Sequence, residues 1–265
     1  MTGSADVEAF EEKLKWVTAH RRENAEGVHK ARALALPLPP SFHDGVRVAK
    51  SERAVIAQFD CSQLAEGNGT AIGLLAQLED CGVTAICVHG DTEKFDQLYQ
   101  SILLIAQFTS LPILCRELLL DPLQIAMARA HGAAAVLLDP TIHQERELRA
   151  LCRAATDLGM DPVLVVRQPG DLDVVGRLSR GASDNPPIRL FGVACQQRVC
   201  GDADVPHFER LSLHLPEDAV SFVMADVTTE SSAERLVDLG YEALLVRVDL
   251  HASDALGRIR AVAGA

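Results

Sequence analysis

The chain predicts an α/β fold, a (β/α)8 or TIM barrel with an extra N-terminal helix, on three observations. Apolar runs recur eight times, at residues 54–59, 85–88, 113–115, 134–138, 163–166, 190–193, 220–224 and 244–248. Helical patterns separate them, each able to make a right-handed crossover between parallel strands. At 265 residues the chain also suits one barrel, which typically takes about 250. A doubly wound sheet would usually carry Gly-x-Gly-x-x-Gly after an early strand, and that turn is absent. We therefore expect one barrel domain over 1–265, with a helical extension over 1–50 and the barrel over 51–265.

Taken in order, Val7, Phe10, Leu14 and Val17 fall at helical spacing with charges opposite them, which predicts one amphipathic helix. The Pro-rich piece 36–42 reads as a short connector. The stretch 112–139 reads as strand, helix and strand. Pro112 to Glu117 is short and branched, Asp121-Pro122 caps and starts a helix, and Gly132 stops it. The run after Gly132 is unbroken and apolar, as in a parallel strand covered on both faces. Residues 179–187 read as a surface loop with turn chemistry. Asp139-Pro140 reads as a helix cap, and Ser231 with Glu234 as a capping box.

Composition bounds the function. A chain that is 48% hydrophobic and 23% charged can bury a sizeable core. Its formal net charge of -12 argues against nucleic acid or an anionic membrane as a partner, since both need a basic face. The seven cysteines are scattered, without Cys-x-x-Cys or zinc spacing, so free thiols in a reducing compartment are expected. The polar, acidic start lacks the apolar core of a signal peptide, and no run suits a membrane span. These features lead us to expect a cytoplasmic protein with no cofactor and no metal.

Beside these readings stands a resemblance. Pro112, Leu114, Arg116-Glu117-Leu118, Gln124-Ile125 and the run Ala128 to Ala133 follow a strand ending in Pro-x-Leu-x-Lys-Asp-Phe, then Gln-Ile and Ala-Arg-x-x-Gly-Ala. This pattern resembles the indole-3-glycerol phosphate synthase family, a tryptophan-biosynthesis family of TIM barrels that also carries an extra N-terminal helix. The resemblance covers nearly the whole scaffold and implies an active site at the carboxyl ends of the strands.

The catalytic positions depart from that pattern. Where the family's first strand carries Glu-x-Lys, this chain has Gln58 and Asp60, so an ionisable acid is lost and a charge is reversed. Arg116 replaces the general-acid lysine and Glu117 its aspartate; an arginine with a pKa above about 12 donates protons poorly. Val165 stands for the second catalytic glutamate, and Ala194 with Gln196 replaces Asn-x-Arg of the sixth strand. Asp226 would repel a phosphate, and Arg247 would crowd the glycine loop whose N–H groups hold it.

Ring closure with decarboxylation and dehydration needs a placed acid and base, and these positions offer neither, so synthase activity is not expected. The remaining polar strand ends admit two readings. In one, several of Asp60, Cys61, His89, Arg116, Glu117, Asp139, Arg167, Gln196, Asp226, Arg247 and Asp249 pair as ion pairs and plug the mouth. In the other, Arg116, Arg167 and Arg247 hold a carboxylate or phosphate while Asp60 or Glu117 acts as base. A working synthase with displaced residues is a third, weaker reading. Cys61 with His89 lacks any local nucleophile–base signature, and His89, Asp60 and Asp139 are too diffusely spaced for a metal. The first reading implies an unknown protein partner or a second copy of the chain, the second a small anionic ligand.

Overall fold

The computed structural model describes residues 4–22, 25–47, 53–66, 68–90, 95–179, 187–195, 199–252 and 254–264. Most of the 179–187 loop, and Gln196, lie outside the described residues.

Eight parallel strands close into a barrel in which each apolar run of the sequence contributes one stave. In chain order they are β1 (Ala54–Asp60), β2 (Val83–His89), β3 (Ile113–Arg116), β4 (Ala135–Leu138), β5 (Asp161–Val166), β6 (Leu190–Val193), β8 (Val220–Val223) and β10 (Ala243–Arg247). The short β7 (Val199–Cys200) and β9 (Asp226–Val227) pair with each other beside the mouth. The helices are α1 (Ser4–Arg22), α2 (Ala25–Ala35), α3 (Phe42–Val46), α4 (Cys61–Glu66), α5 (Asn68–Leu75), α6 (Phe95–Ala106), α7 (Pro122–Ala130), α8 (Glu145–Asp157), α9 (Asp171–Ser179), α10 (Val205–Ser212), α11 (Glu230–Asp238) and α12 (Ala255–Ala263).

Side chains alternate in and out along each strand. Ala54 and Ile56 point into the barrel with Leu114, Val163, Val165, Phe222 and Leu245. Val55, Ala57, Phe59, Cys115 and Val246 point out against the helices. The connector expected at 36–42 leads into α3, whose Phe42 and Val46 are fully buried and stop the barrel floor. Asp161, where β5 starts, accepts the Phe42 and His43 N–H groups at 2.9 and 3.0 Å and holds that helix in place.

The central βαβ unit forms as its residues dictate. Asp121 caps α7 in a capping box with Gln124, and Pro122 occupies the first turn. Gln124 is fully buried because it serves the β3–α7 loop: its Oε1 accepts the Leu120 N–H at 2.7 Å and its Nε2 donates to Leu118 O at 2.8 Å. Gly132 has φ +108, and a Cβ there would lie 2.7 Å from that of Ala106, so turn and packing both require glycine.

Three expectations need correction. The expected N-terminal helix forms as α1 and a second, α2, follows it, but α1 buries only part of its expected apolar face. Phe10 and Leu14 are exposed at 37% and 48%, while Lys13 and Val17 are buried. Lys13 wins that place because a carboxylate waits for it, as described below. Asp139 does not cap a helix: its Oδ1 accepts from the N–H and Oγ1 of Thr141 at 2.9 and 2.7 Å, and α8 starts later. The cap of α11 is Thr229, not Ser231, with its hydroxyl accepting the Ser232 N–H at 3.2 Å.

Candidate active site at the barrel mouth

Strand register builds the mouth. Asp60 lies beside His89, and His89 beside Arg116, so three polar residues from β1, β2 and β3 stand in one row. Gln58 lies beside Arg247 of β10. Inward-facing ends of the other strands complete an open cleft with Leu137, Arg167, Ala194, Cys195, Met224, Asp226 and Leu245. Of the candidates taken from the sequence, Asp60, Arg116, Arg167 and Arg247 therefore converge, together with Gln58 and Ala194. Val165 is inward but sealed in the barrel core.

Glu117 does not join them. It follows Arg116 by one residue, so alternation sends it to the outside of the barrel, where it is paired with the buried Lys13 of α1. Tyr99 of α6 donates its hydroxyl to the other oxygen of the same carboxylate. Burial pushes the Glu117 carboxyl up, and Lys13 holds it partly down. The Lys13 ammonium also lies over the rings of Phe95 and Trp16, 4.0 and 4.8 Å from their centroids. Glu117 thus fastens α1 to the barrel wall, and its expected place among the mouth ligands is corrected.

The arginines of the mouth are engaged in different ways. Arg167 pairs with Asp139 at 2.5 Å. Arg116 donates to the Gln58 amide oxygen at 2.6 Å. Arg247 stands 3.9 Å from Asp60, whose other oxygen accepts from the Ser62 hydroxyl at 2.9 Å. Behind them, burial pushes the Cys87 thiol up to about 11 despite the nearby Arg116.

Asp226 is the most fully tied. One carboxylate oxygen accepts the backbone N–H of Arg247 at 2.8 Å, and both accept from Arg258 of α12, at 2.9 and 3.0 Å. An acidic side chain of the protein therefore occupies a backbone donor at the β8–β10 side of the mouth, backed by a guanidinium. Met224 leans over the mouth beside it, and a Cβ on Gly192 would come within 2.2 Å of its sulfur. Neither Arg258 nor Met224 stands out in the sequence; Arg258 sits in an ordinary helix 32 residues from its partner, with no local spacing to mark it.

Among the described residues, no three His, Cys, Asp or Glu side chains come together as a metal site. No helix among them is long and apolar enough to cross a membrane.

A closed parallel barrel with polar strand ends gathered at its carboxyl mouth defines the class as TIM-barrel proteins. The chain belongs to the indole-3-glycerol phosphate synthase family, whose model matches residues 8–261. It is 28% identical over 220 residues to the indole-3-glycerol phosphate synthase of Koribacter versatilis, covering 80% of this chain and 82% of that one. Against the synthase of Opitutus terrae the identity is 25% over 252 residues, covering 89% and 92%. Among solved structures, a mutant tryptophan synthase alpha-subunit from Pyrococcus furiosus superposes with a TM-score of 0.61 at 11% identity, over 81% of this chain and 99% of that one, a likeness of fold.

Proposed function

We propose that this chain is a synthase-family barrel without synthase turnover, kept as a binding or assembly partner. The observation that carries the reading is Asp226. In the family resemblance this side of the mouth holds a phosphate through backbone N–H groups. Here the Arg247 N–H and the Arg258 guanidinium are spent on a carboxylate of the chain itself. A substrate phosphate would have to displace an anion tethered at high effective concentration. The acid–base positions support the same reading, since Gln58 is a hydrogen-bonded amide and Val165 is a core residue. The partner this implies is another protein or a second copy of the chain.

The test combines turnover with thermal shift. Purified protein given the carboxyphenylamino-deoxyribulose phosphate substrate is expected to form no indole-glycerol phosphate; measurable product overturns the reading. Inorganic phosphate is expected to leave the melting temperature of the native chain unchanged and to raise that of Asp226→Gly, because a ligand that binds only the folded state stabilises it, by about 2.7 kcal/mol at 100 times its Kd.

A second reading is favoured by the cleft itself, which Arg116, Arg167 and Arg247 line. It is a lyase- or isomerase-type enzyme for a small carboxylate- or phosphate-bearing substrate. The same screen, run with phosphorylated sugars and aromatic carboxylates, separates the two: selective stabilisation that disappears in Arg116→Ala supports this second reading.

A further inference from the structure

We propose that His29 and His131 make the docking of the two N-terminal helices dependent on pH, so that acidification releases α1 and α2 while the barrel stays closed. The two rings meet where α2 crosses the end of α7, with centroids 6.0 Å apart. His131 caps α7 and its Nδ1 lies 2.7 Å from Met127 O, so that nitrogen carries the proton. Nδ1 of His29 is buried with no hydrogen-bond partner. Protonating this pair would place two charges side by side, one of them on a ring whose buried nitrogen has no acceptor.

The charges around the pair add to the repulsion. Arg32 of α2 and His20 of α1 both act on His29 with the same sign. Arg21 of α1 is spent on Asp121 at 2.9 Å, and Arg129 of α7 on the backbone carbonyls of Leu158, Leu36 and Pro37. On α2, Glu26 and Lys30 line a cleft with Arg153 and Asp157 of α8. From α6, the Tyr99 ring lies tilted 5.6 Å from that of His131, and its hydroxyl is bonded to Glu117, which pairs with Lys13.

The direction follows from linkage. Burial, then the neighbouring cations, holds His29 below its ordinary value of 6.5, and burial does the same to His131. Docking stability contributed by these groups is therefore complete above the undocked value and is lost as pH falls through the docked one. Glu117 acts in the opposite sense, because burial raises its carboxyl. Its contribution is removed separately below.

Trp16, the single tryptophan of the chain, reports docking directly. It sits on α1 with its ring 4.0 Å from His20, 5.6 Å from Phe95 and 6.2 Å from Tyr99. The experiment follows its emission maximum, far-UV circular dichroism and hydrogen exchange of residues 4–35 in the full chain from pH 7.5 to 5. Expected is a red shift with a midpoint below the ordinary histidine value of 6.5, faster exchange confined to 4–35, and retained barrel ellipticity. His29→Gln with His131→Gln should abolish the shift. Arg32→Gln, an exposed change that does not endanger folding, should move the midpoint to lower pH, whereas Lys13→Met combined with Glu117→Leu, which removes the carboxyl and its buried partner together, should leave the shift in place. An emission maximum constant down to pH 5, a midpoint indifferent to both the double histidine change and Arg32→Gln, or loss of barrel ellipticity at the same midpoint would each overturn the proposal.

Discussion

Lys13 and Glu117 show how far one residue's partner decides its place. Alone, a lysine on the inner face of a helix is a costly burial; here its side chain is 1% exposed because an ion pair and two aromatic rings receive it. Removing one partner leaves the other charge buried. Lys13→Ala is expected to cost about 3–5 kcal/mol in urea unfolding, while Lys13→Met combined with Glu117→Leu should recover most of that loss, since apolar replacements of both partners are often neutral. If the double variant is as unstable as the single, the pair does not hold α1. Asp226 makes the contrasting case at the mouth. Its acid is visible in the sequence, but Arg258 is not marked as its partner, because the contact depends on α12 folding back beside β10.

At the scale of elements, local chemistry was read correctly where it was self-contained. Asp121, Pro122, Gln124 and Gly132 start and stop α7 through bonds spanning a few residues, and a spacing rule can see these. Asp121→Ala removes the cap on the Leu123 N–H and the partner of Arg21, and should lower stability by about 1–2 kcal/mol with unchanged unfolding cooperativity. A melting temperature equal to that of the native chain would mean that loop contacts, not the cap, define the helix start. The same spacing rules misjudged α1. Periodicity pointed to Phe10, Leu14 and Val17 as its inner face; Val17 is buried as expected, but Lys13 and Trp16 turn inward in place of Phe10 and Leu14, because a helix lying on a barrel is oriented by what the surface beneath it offers. Ser231 and Asp139 failed as caps for a related reason: Thr229 and the Asx turn to Thr141 compete for the same short-range donors.

At the scale of the whole molecule, two concentric cores make the barrel close, one inside the strands and one beneath the helices. Six of the seven cysteines are buried in the closed barrel, and Cys195 at the mouth is half-buried. Burial pushes Cys152 and Cys200 to about 12, which makes both poor nucleophiles. Thiol titration with a disulfide reagent at pH 8 is therefore expected to label Cys195 first, and all seven only in denaturant; rapid labelling of several thiols in the native state would show that the barrel opens readily.

By itself the sequence determined the eight strands of the barrel, their order in the chain, and the identities of Gln58, Arg116 and Val165 at positions where the family resemblance places acid and base. All of these depend on local period or on residue identity, which do not need the fold to be known. Only the tertiary structure decided that Glu117 faces a helix rather than the mouth, that Asp226 is held by Arg258, that Arg167 is locked on Asp139 while Arg116 rests on a neutral amide, and that His29 meets His131. These are pairings between distant residues, created when the ring of strands closes and the helices settle on it, and chain spacing carries no trace of them.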